Sequence, residues 1–418
     1  MPLRKLSVKE IDPRGRRVFL RVDFNVPLRD GRVADDTRIR ASLPTLRSIL
    51  DGGGRVLLAS HLGRPKGRVV PELSLRPVAL RLSELLGRPV RLAPDCVGAP
   101  TEALARGLAD GQALLLENLR FHAEEEANDA AFSGRLGALA ELYVNDAFGS
   151  AHRAHASVVG IIRHLPRAAA GLLMERELDM LGRLREDPAR PYVAILGGAK
   201  VSDKIDLLHN MIGKVDALLI GGAMAYTFMR ARGMPVGGSR VEEDRIEPAV
   251  QILKAAMNGG VRLHLPIDHV VARSAETGEG RHVTPGPDIE PDCVGLDIGP
   301  RTREAFTEEI AAARTIFWNG PLGRFEVEPY AEGTAAVARA VAASKAFSVI
   351  GGGDSAAAVN RLGLSSSFTH ISTGGGASLE FLAGRDLPGV AALSDADSST
   401  GTILDPDDGP GAGPGGRR

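Results

Sequence analysis

Tyr192-Val193-Ala194-Ile195-Leu196-Gly197-Gly198-Ala199-Lys200-Val201-Ser202-Asp203-Lys204-Ile205 passes from an unbroken apolar run through two glycines into an amphipathic stretch. That pattern reads as a buried strand, a tight turn and the start of a helix, with Ser202 as the expected N-cap. Lys200 and Lys204 then stand at or before the first helical turn, where the macrodipole is already positive and each added cation costs roughly 0.3–1 kcal/mol. Asp203 and Asp206 offset only part of that. A local arrangement that works against helix stability is expected where an anion binds. The alternative is that both lysines extend into solvent. Two of them flanking a Gly-Gly strand end favour the anion site.

Working outward, the 418 residues are 44% hydrophobic and 25% charged, a globular composition long enough for two domains. Many of the 50 glycines directly follow apolar runs, which points to repeated strand-to-helix turns and an α/β architecture. Cys96 and Cys293 are far apart and lack metal-ligand spacing, so neither a disulfide framework nor a zinc site is expected. The start, Met1-Pro2-Leu3-Arg4-Lys5-Leu6, has no apolar export segment, and no charge-free run approaches the ~20 residues that span a bilayer. A cytoplasmic protein that meets neither membrane nor nucleic acid is the expectation. Residues 1–185 hold 29 Lys or Arg against 22 Asp or Glu, whereas the remainder holds 22 against 30. The first half therefore favours an anionic partner, and with no basic run resembling a nucleic-acid arm, that partner is a small molecule.

In the first half polar groups recur where strands end. Arg16 to Val22 leads into Asp23-Phe24-Asn25-Val26-Pro27, Val56 to Ser60 into His61-Leu62-Gly63-Arg64-Pro65, Ala113 to Leu116 into Glu117-Asn118-Leu119-Arg120, and Leu142 to Val144 into a stretch ending His152-Arg153. Strands of a parallel sheet point one way, so residues past their C-terminal ends gather on one edge, where ligands of open α/β sheets bind. Arg21, Arg38, His61, Arg64, Arg120 and Arg153 could share such a cleft. Guanidinium forks match phosphate and carboxylate, so the ligand would be a small, multiply charged acid. Arg38 is expected early in a helix capped by an acidic residue or Thr.

Residues 172–185 read as an amphipathic helix with Leu173, Leu178, Met180 and Leu181 apolar, and it stops at Glu186-Asp187-Pro188-Ala189-Arg190-Pro191. The prolines mark the expected domain boundary, with the helix as connector and a hinge beside it. Beyond it, five more apolar runs follow the opening one, at 217–220, 261–265, 315–318, 347–350 and 368–371, several ending in glycines. Glycine turns expose backbone N–H groups that cradle phosphates, but they also serve close packing. A G-x-G-x-x-G fingerprint and a Walker A box are both absent. Asp405 to Arg418 is too rich in Gly and Pro to pack, so residues 401–418 are expected to be a disordered tail.

The motifs RVDFNVP (21–27), DDTRIRA (35–41), SHLGRPKG (60–67), LLENLRFH (115–122) and NDAFGSAHRAHAS (145–157) resemble those of phosphoglycerate kinases. So do LGGAKVSDKI (196–205), MAYTF (224–228), WNGPLGRFE (318–326), IGGGDSAA (350–357) and STGGGASLEFL (372–382). The resemblance runs from about Lys5 to Leu393. It implies two Rossmann-like three-layer α/β/α domains with mainly parallel sheets. These would be an N-terminal phosphoglycerate domain over 1–185, ending in the connector helix, and a C-terminal nucleotide domain over 186–390. A segment over 391–400 would return to the first domain.

The resemblance further implies magnesium-dependent, reversible transfer of the acyl phosphate of 1,3-bisphosphoglycerate to ADP, giving 3-phosphoglycerate and ATP, by a monomeric enzyme that closes about a hinge. Arg21, Asp23, Asn25, Arg38, His61, Leu62, Gly63, Arg64, Arg120 and Arg153 would hold the phosphoglycerate. Lys200 and Arg38 would neutralise the phosphoryl group in flight. Lys200, Lys204, Gly221, Gly295, Asn319, Glu326, Gly352, Gly353, Asp354 and Ser355 would hold the nucleotide, with Gly374, Gly375 and Gly376 as a phosphate-cradling loop and Asp354 beside the Mg2+. Ala223 stands where the family often has glycine, and Arg324 where a small apolar residue is commoner. Chemistry points the same way, since an ADP oxygen is already ionised and a carboxylate leaves readily. Such a transfer requires positive charge around three oxygens rather than a general base. A kinase for another small carboxylate, or a two-domain protein that closes on a small acid, remain open on the residues alone.

Overall fold

Two six-stranded parallel sheets organise the chain. A computed structural model describes residues 4–396, and these fall into two compact units. The tail expected over 401–418, and residues 397–400 of the expected returning segment, lie outside the described residues.

The first unit takes the described residues up to Asp146, then Ala154–Leu172 and those from Ala392 onward. Its strands are β1 (Arg17–Arg21), β2 (Arg55–Ala59), β3 (Val90–Leu92), β4 (Ala113–Leu115), β5 (Leu142–Asn145) and β6 (Ala168–Ala170), ordered β3-β4-β2-β1-β5-β6. Every pairing is parallel, with Leu20 opposite Leu58 and Val144. Helices cover both faces, so the central strands bury residues of both parities. Val18, Phe19, Leu20, Leu57 and Leu58 are fully buried, each stabilising the fold by roughly 1.5–3 kcal/mol relative to exposure. Two strands escape the periodicity. In β3 an exposed Arg91 interrupts an edge strand, and β6 is three alanines, whose intrinsic strand preference is low. At this sheet's edge the first and last described residues pair. Lys5 Nζ donates to Leu393 O at 3.0 Å and Asp395 Oδ1 at 2.7 Å, Leu6 N to Ser394 O at 2.8 Å, and Ser394 N to Ala168 O at 2.9 Å.

The second unit comprises Ala147–Arg153 and Leu173–Ala391. Its large sheet uses β7 (Tyr192–Leu196), β8 (Ala217–Ile220), β9 (Arg262–His264), β13 (Thr315–Asn319), β14 (Phe347–Gly351) and β15 (His370–Ile371), ordered β9-β8-β7-β13-β14-β15. This is the doubly wound order, and winding reverses between β7 and β13, where a crevice forms past the strand ends. A small antiparallel sheet of β10 (His269–Ala272), β11 (His282–Val283) and β12 (Val294–Ile298), ordered β11-β10-β12, is added between β9 and β13 in the chain. Its short strands lie between Gly/Pro-rich turns and gave no clear alternation.

The Leu172–Glu186 helix forms where expected. Its buried stripe, however, is Met174, Glu177, Leu181 and Leu184 rather than the Leu173, Leu178, Met180 and Leu181 set. The reason is Glu177, which is 0% exposed and accepts from His370 Nε2 (2.9 Å), Ser372 Oγ (2.7 Å), Thr373 N (2.7 Å) and Thr373 Oγ1 (2.9 Å). A carboxylate so fully bonded can occupy a buried face. These bonds also place the helix with the second unit, so the contact boundary falls at Leu172/Leu173 rather than at the prolines.

Candidate active site

The glycines at the switch point have a packing reason first. Gly197 N donates to Asn319 O (2.9 Å) and Gly198 N to Pro321 O (2.8 Å). A Cβ on Gly197 would lie 2.1 Å from Pro321 O, one on Gly222 2.6 Å from Gly198 N, and one on Gly320 2.3 Å from Gly197 O. Gly222 and Gly320 also have φ of +64° and +92°. The turns after β7, β8 and β13 thus pack backbone on backbone, which only glycine permits. Gly221 is closed in likewise by Leu322, and Gly374 by Ser378 and Phe148.

The turn after β7 differs from the expected one. Helix begins at Ile205 with Lys204 in the N-cap position, and Ser202 does not cap it. Ser202 Oγ donates instead to Glu242 Oε1 (2.6 Å), Ser202 N to Glu242 Oε2 (3.1 Å), and Val201 N to the same oxygen. The amides at 201–202 therefore hold an internal carboxylate. Burial works against the Glu242 charge, but these bonds and Lys200 outweigh it and hold the carboxyl below its usual range. Lys200 itself is exposed. Lys204 is half-buried, and burial lowers its pKa while Asp203 and Asp354 only partly compensate.

Past β14, Gly352 (φ +94°) is the N-cap of the Gly353–Arg361 helix and supplies no side-chain cap. Gly353 has open space where a Cβ would go, as does Gly375, whereas the nearest atom to a Gly376 Cβ is His152 Nε2 at 4.0 Å. The first N–H groups of these helices have no intrahelical acceptor. Asn319 faces the same loop, its Nδ2 donating to Gly351 O (2.8 Å). Ser355 is buried and its Oγ accepts from Gly320 N (2.6 Å), so its hydroxyl braces the loop. Gly295 N donates to Ser239 Oγ (2.9 Å), and Glu326 is exposed. Ala223 has φ −64°, a helical value that needs no glycine, and Arg324 donates to Ala275 O (3.1 Å).

In the first unit the basic residues differ in burial. Arg21 is 1% exposed, with Nε donating to Ser157 Oγ (2.9 Å), Nη1 to Val22 O, and Nη2 lying 3.2 Å from His61 Nδ1. Behind it Glu125 accepts from Ser157 N (2.9 Å) and Oγ (2.6 Å). Burial pushes the Glu125 carboxyl up more than Arg21 and those bonds pull it down. Arg120, 4% exposed, donates to Gly63 O (2.8 Å) and pairs with Glu126 (3.2 Å). Asp23 Oδ2 accepts from the more exposed Arg38 Nη1 at 2.6 Å, and Asn25 Oδ1 accepts from Gly63 N at 2.9 Å. Burial would raise the Asp23 pKa, but the charges of His61, Arg38 and Arg21 and the Asn25 N–H more than offset it, so the carboxyl stays below its usual range. Arg38 is the second residue of the Thr37–Asp51 helix, whose Asp36 N-cap makes no cap bond because it pairs with Arg40 and Arg81. Leu62 N donates to Asn118 Oδ1 (3.1 Å), Gly63 has φ +64° against Leu73, and Arg64 is exposed. Arg153 groups with the second unit, its Nε donating to His152 Nε2 (3.0 Å).

The family model for phosphoglycerate kinase matches residues 8–385 of this chain. The chain belongs to the phosphoglycerate kinase family. It is 53% identical over 397 residues to the phosphoglycerate kinase of Chloroherpeton thalassium, covering 94% of this chain and all of that one. It is 56% identical over 401 residues to that of Anaeromyxobacter dehalogenans (strain 2CP-1), again with 94% and 100% covered. Among solved structures, phosphoglycerate kinase from Coxiella burnetii superposes with a TM-score of 0.83 at 38% identity, over 93% of this chain and 98% of that one. The enzyme from Pyrococcus horikoshii OT3 gives 0.83 at 36% identity with the same coverage. As a member of the phosphoglycerate kinase family, the chain is a phosphotransferase with a carboxyl group as acceptor. No helix among the described residues is long and apolar enough to cross a membrane.

Phosphoglycerate kinase motifs read from sequence do not include the residues that brace the site from a distance. Glu242 lies 40 residues past the turn it bonds, Glu125 lies 32 before Ser157, and Glu177 lies 193 before His370. Nothing near them in sequence marks a buried acid. What requires each acid is the set of backbone N–H and side-chain donors at a distant turn.

Proposed function

We propose that the chain transfers the acyl phosphate of 1,3-bisphosphoglycerate to ADP, reversibly, giving 3-phosphoglycerate and ATP. The observation that carries this reading is what each unit offers: the buried Arg21 and Arg120 with the Arg38–Asp23 pair in one, and glycine amides with a half-buried Lys204 in the other. Phosphoglycerate binds at Arg38, His61, Arg64, Asn25 and Gly63, with Arg21 and Arg120 supplying charge from beneath and Asp23 orienting Arg38. Arg153, which groups with the second unit, joins that set only on closure. The nucleotide binds at Lys204, Asn319, Glu326, Gly221, Gly295 and the Gly352–Ser355 turn, and the Gly374–Gly376 turn takes up phosphate.

Transfer is direct and in line. ADP attacks as an oxyanion and a carboxylate leaves, so Arg38 and Lys200 act by neutralising the three equatorial oxygens. Asp354, exposed in the first turn of the Gly353–Arg361 helix, fits Mg2+, which commonly takes one or two protein carboxylates together with substrate phosphates and water. Bound with the nucleotide, Mg2+ supplies further charge on the phosphate oxygens. Because the ligands sit on separate units, hinge closure brings them together and excludes the water that would hydrolyse an acyl phosphate. The protein acts as a cytoplasmic monomer.

The test is ATP formation from 1,3-bisphosphoglycerate and MgADP, run beside the reverse reaction with 3-phosphoglycerate, acetate or aspartate as acceptor. Phosphoglycerate should exceed the other acids by orders of magnitude. Faster turnover with acetate or aspartate would assign the site to a different carboxylate.

A further inference from the structure

We infer that the small antiparallel sheet of the second unit carries a binding site for a thiophilic divalent cation such as Zn2+, formed by His282 Nε2, the Glu290 carboxylate and Cys293 Sγ. The three ligand atoms lie within 4.8 Å of one another. His282 Nε2 and Glu290 Oε1 are 3.3 Å apart, close to the edge of a tetrahedron with metal–ligand bonds of about 2.0–2.1 Å.

Backbone structure brings these groups together. Glu290 and Cys293 are the ends of a tight turn closed by Cys293 N donating to Glu290 O (3.0 Å), and His282 is set on β11 by pairing with Val271. The turn is anchored from behind, since Gly238 N donates to Cys293 O (2.8 Å) and Ile289 N to Pro235 O (3.1 Å). His282 Nδ1 lies 2.8 Å from Gly280 O, the arrangement in which Nδ1–H donates to a carbonyl and leaves the Nε2 lone pair for a metal. Asp292 Oδ1, 3.9 Å from the sulfur, offers a fourth ligand atom. The neighbouring cation, Arg273, is already engaged with Asp292 Oδ2 (3.2 Å) and Glu279 (3.8 Å). The His282 and Glu290 side chains are 42% and 44% exposed and face solvent, while Cys293 is buried on the protein side of the site.

The other thiol makes the contrast. Cys96 is fully buried, its Sγ donates to Glu117 O at 3.1 Å, and the adjacent His122 and Asp95 are closed on each other at 2.6 Å. That cluster is complete without a metal. At Cys293 a cation would replace the weak 3.3 Å His–Glu contact and tie β11 to the turn that leads into β12. It would thereby fix Gly295, two residues on, whose N–H is held by Ser239.

The probe is Co2+ added to the full-length protein without nucleotide. One equivalent should bind with a thiolate-to-cobalt charge-transfer band that Zn2+ abolishes on displacement. The band should be lost in Cys293→Ser and kept in Cys96→Ser. His282→Gln and Glu290→Gln alter exposed side chains that the fold does not need, and each should weaken Co2+ binding at least tenfold. Zn2+ should raise the Tm of the wild type more than that of His282→Gln. A band that persists in Cys293→Ser, affinities unchanged by the His282 and Glu290 variants, or no band at all would overturn the assignment.

Discussion

Arg38 and Arg64 separate two duties that one basic cluster can perform. Arg38 is oriented by the 2.6 Å pair with Asp23 and is assigned here to the transferring group, whereas Arg64 is exposed and assigned to ground-state binding. Arg38→Ala should therefore lower kcat by roughly a hundredfold or more, while Arg64→Ala should mainly raise KM. Steady-state kinetics in both substrates decide it, and equal, purely KM effects would contradict the assignment. Asp297 makes a prediction in pH. Burial pushes its pKa from 3.8 to about 7 despite the N–H groups of Gly333 and Ile298. Between those values the folded chain holds a proton that the unfolded chain has released, so stability falls as pH rises from about 4 to about 7. Asp297→Asn carries no such proton. Relative to wild type it should gain about 2–3 kcal/mol between pH 5 and pH 8, read from urea unfolding, since each pKa unit is worth ~1.4 kcal/mol. Parallel pH profiles would show that Asp297 is ionised throughout.

The glycine-rich turns contain two populations that sequence alone cannot tell apart. Gly197 lies against carbonyl oxygens, so Gly197→Ala should destabilise or prevent folding of the second unit. Gly353 faces open space in a helical conformation, so Gly353→Ala should keep its melting temperature and raise KM for nucleotide. Thermal unfolding and nucleotide titration together separate packing from phosphate contact. Glu177 is the second test at this scale: removing it leaves His370, Ser372 and Thr373 without their acceptor, so Glu177→Ala should cost about 3 kcal/mol or more in urea unfolding. Unchanged stability would show that water replaces the carboxylate. These elements also show what was legible. Strands with both faces buried, such as β7 and β8, appear in the sequence as apolar runs with the observed limits, because burial on both sides demands it. The helix start after β7 was misplaced, because Ser202 bonds a glutamate 40 residues away rather than its own helix.

At the scale of the molecule, the sequence shows two parallel-sheet units, because these follow from local periodicity and chain direction. It does not show that 147–153 groups with the second unit, or that Glu177 draws the connecting helix there, since both depend on contacts between distant residues. On the proposed reading, phosphoglycerate and nucleotide bind to different units and react only when closure unites them. Small-angle scattering of the wild type alone, with 3-phosphoglycerate, with MgADP, and with both ligands tests it most directly. The radius of gyration should contract fully only with both ligands present. Full contraction with either ligand alone would contradict the split-site mechanism.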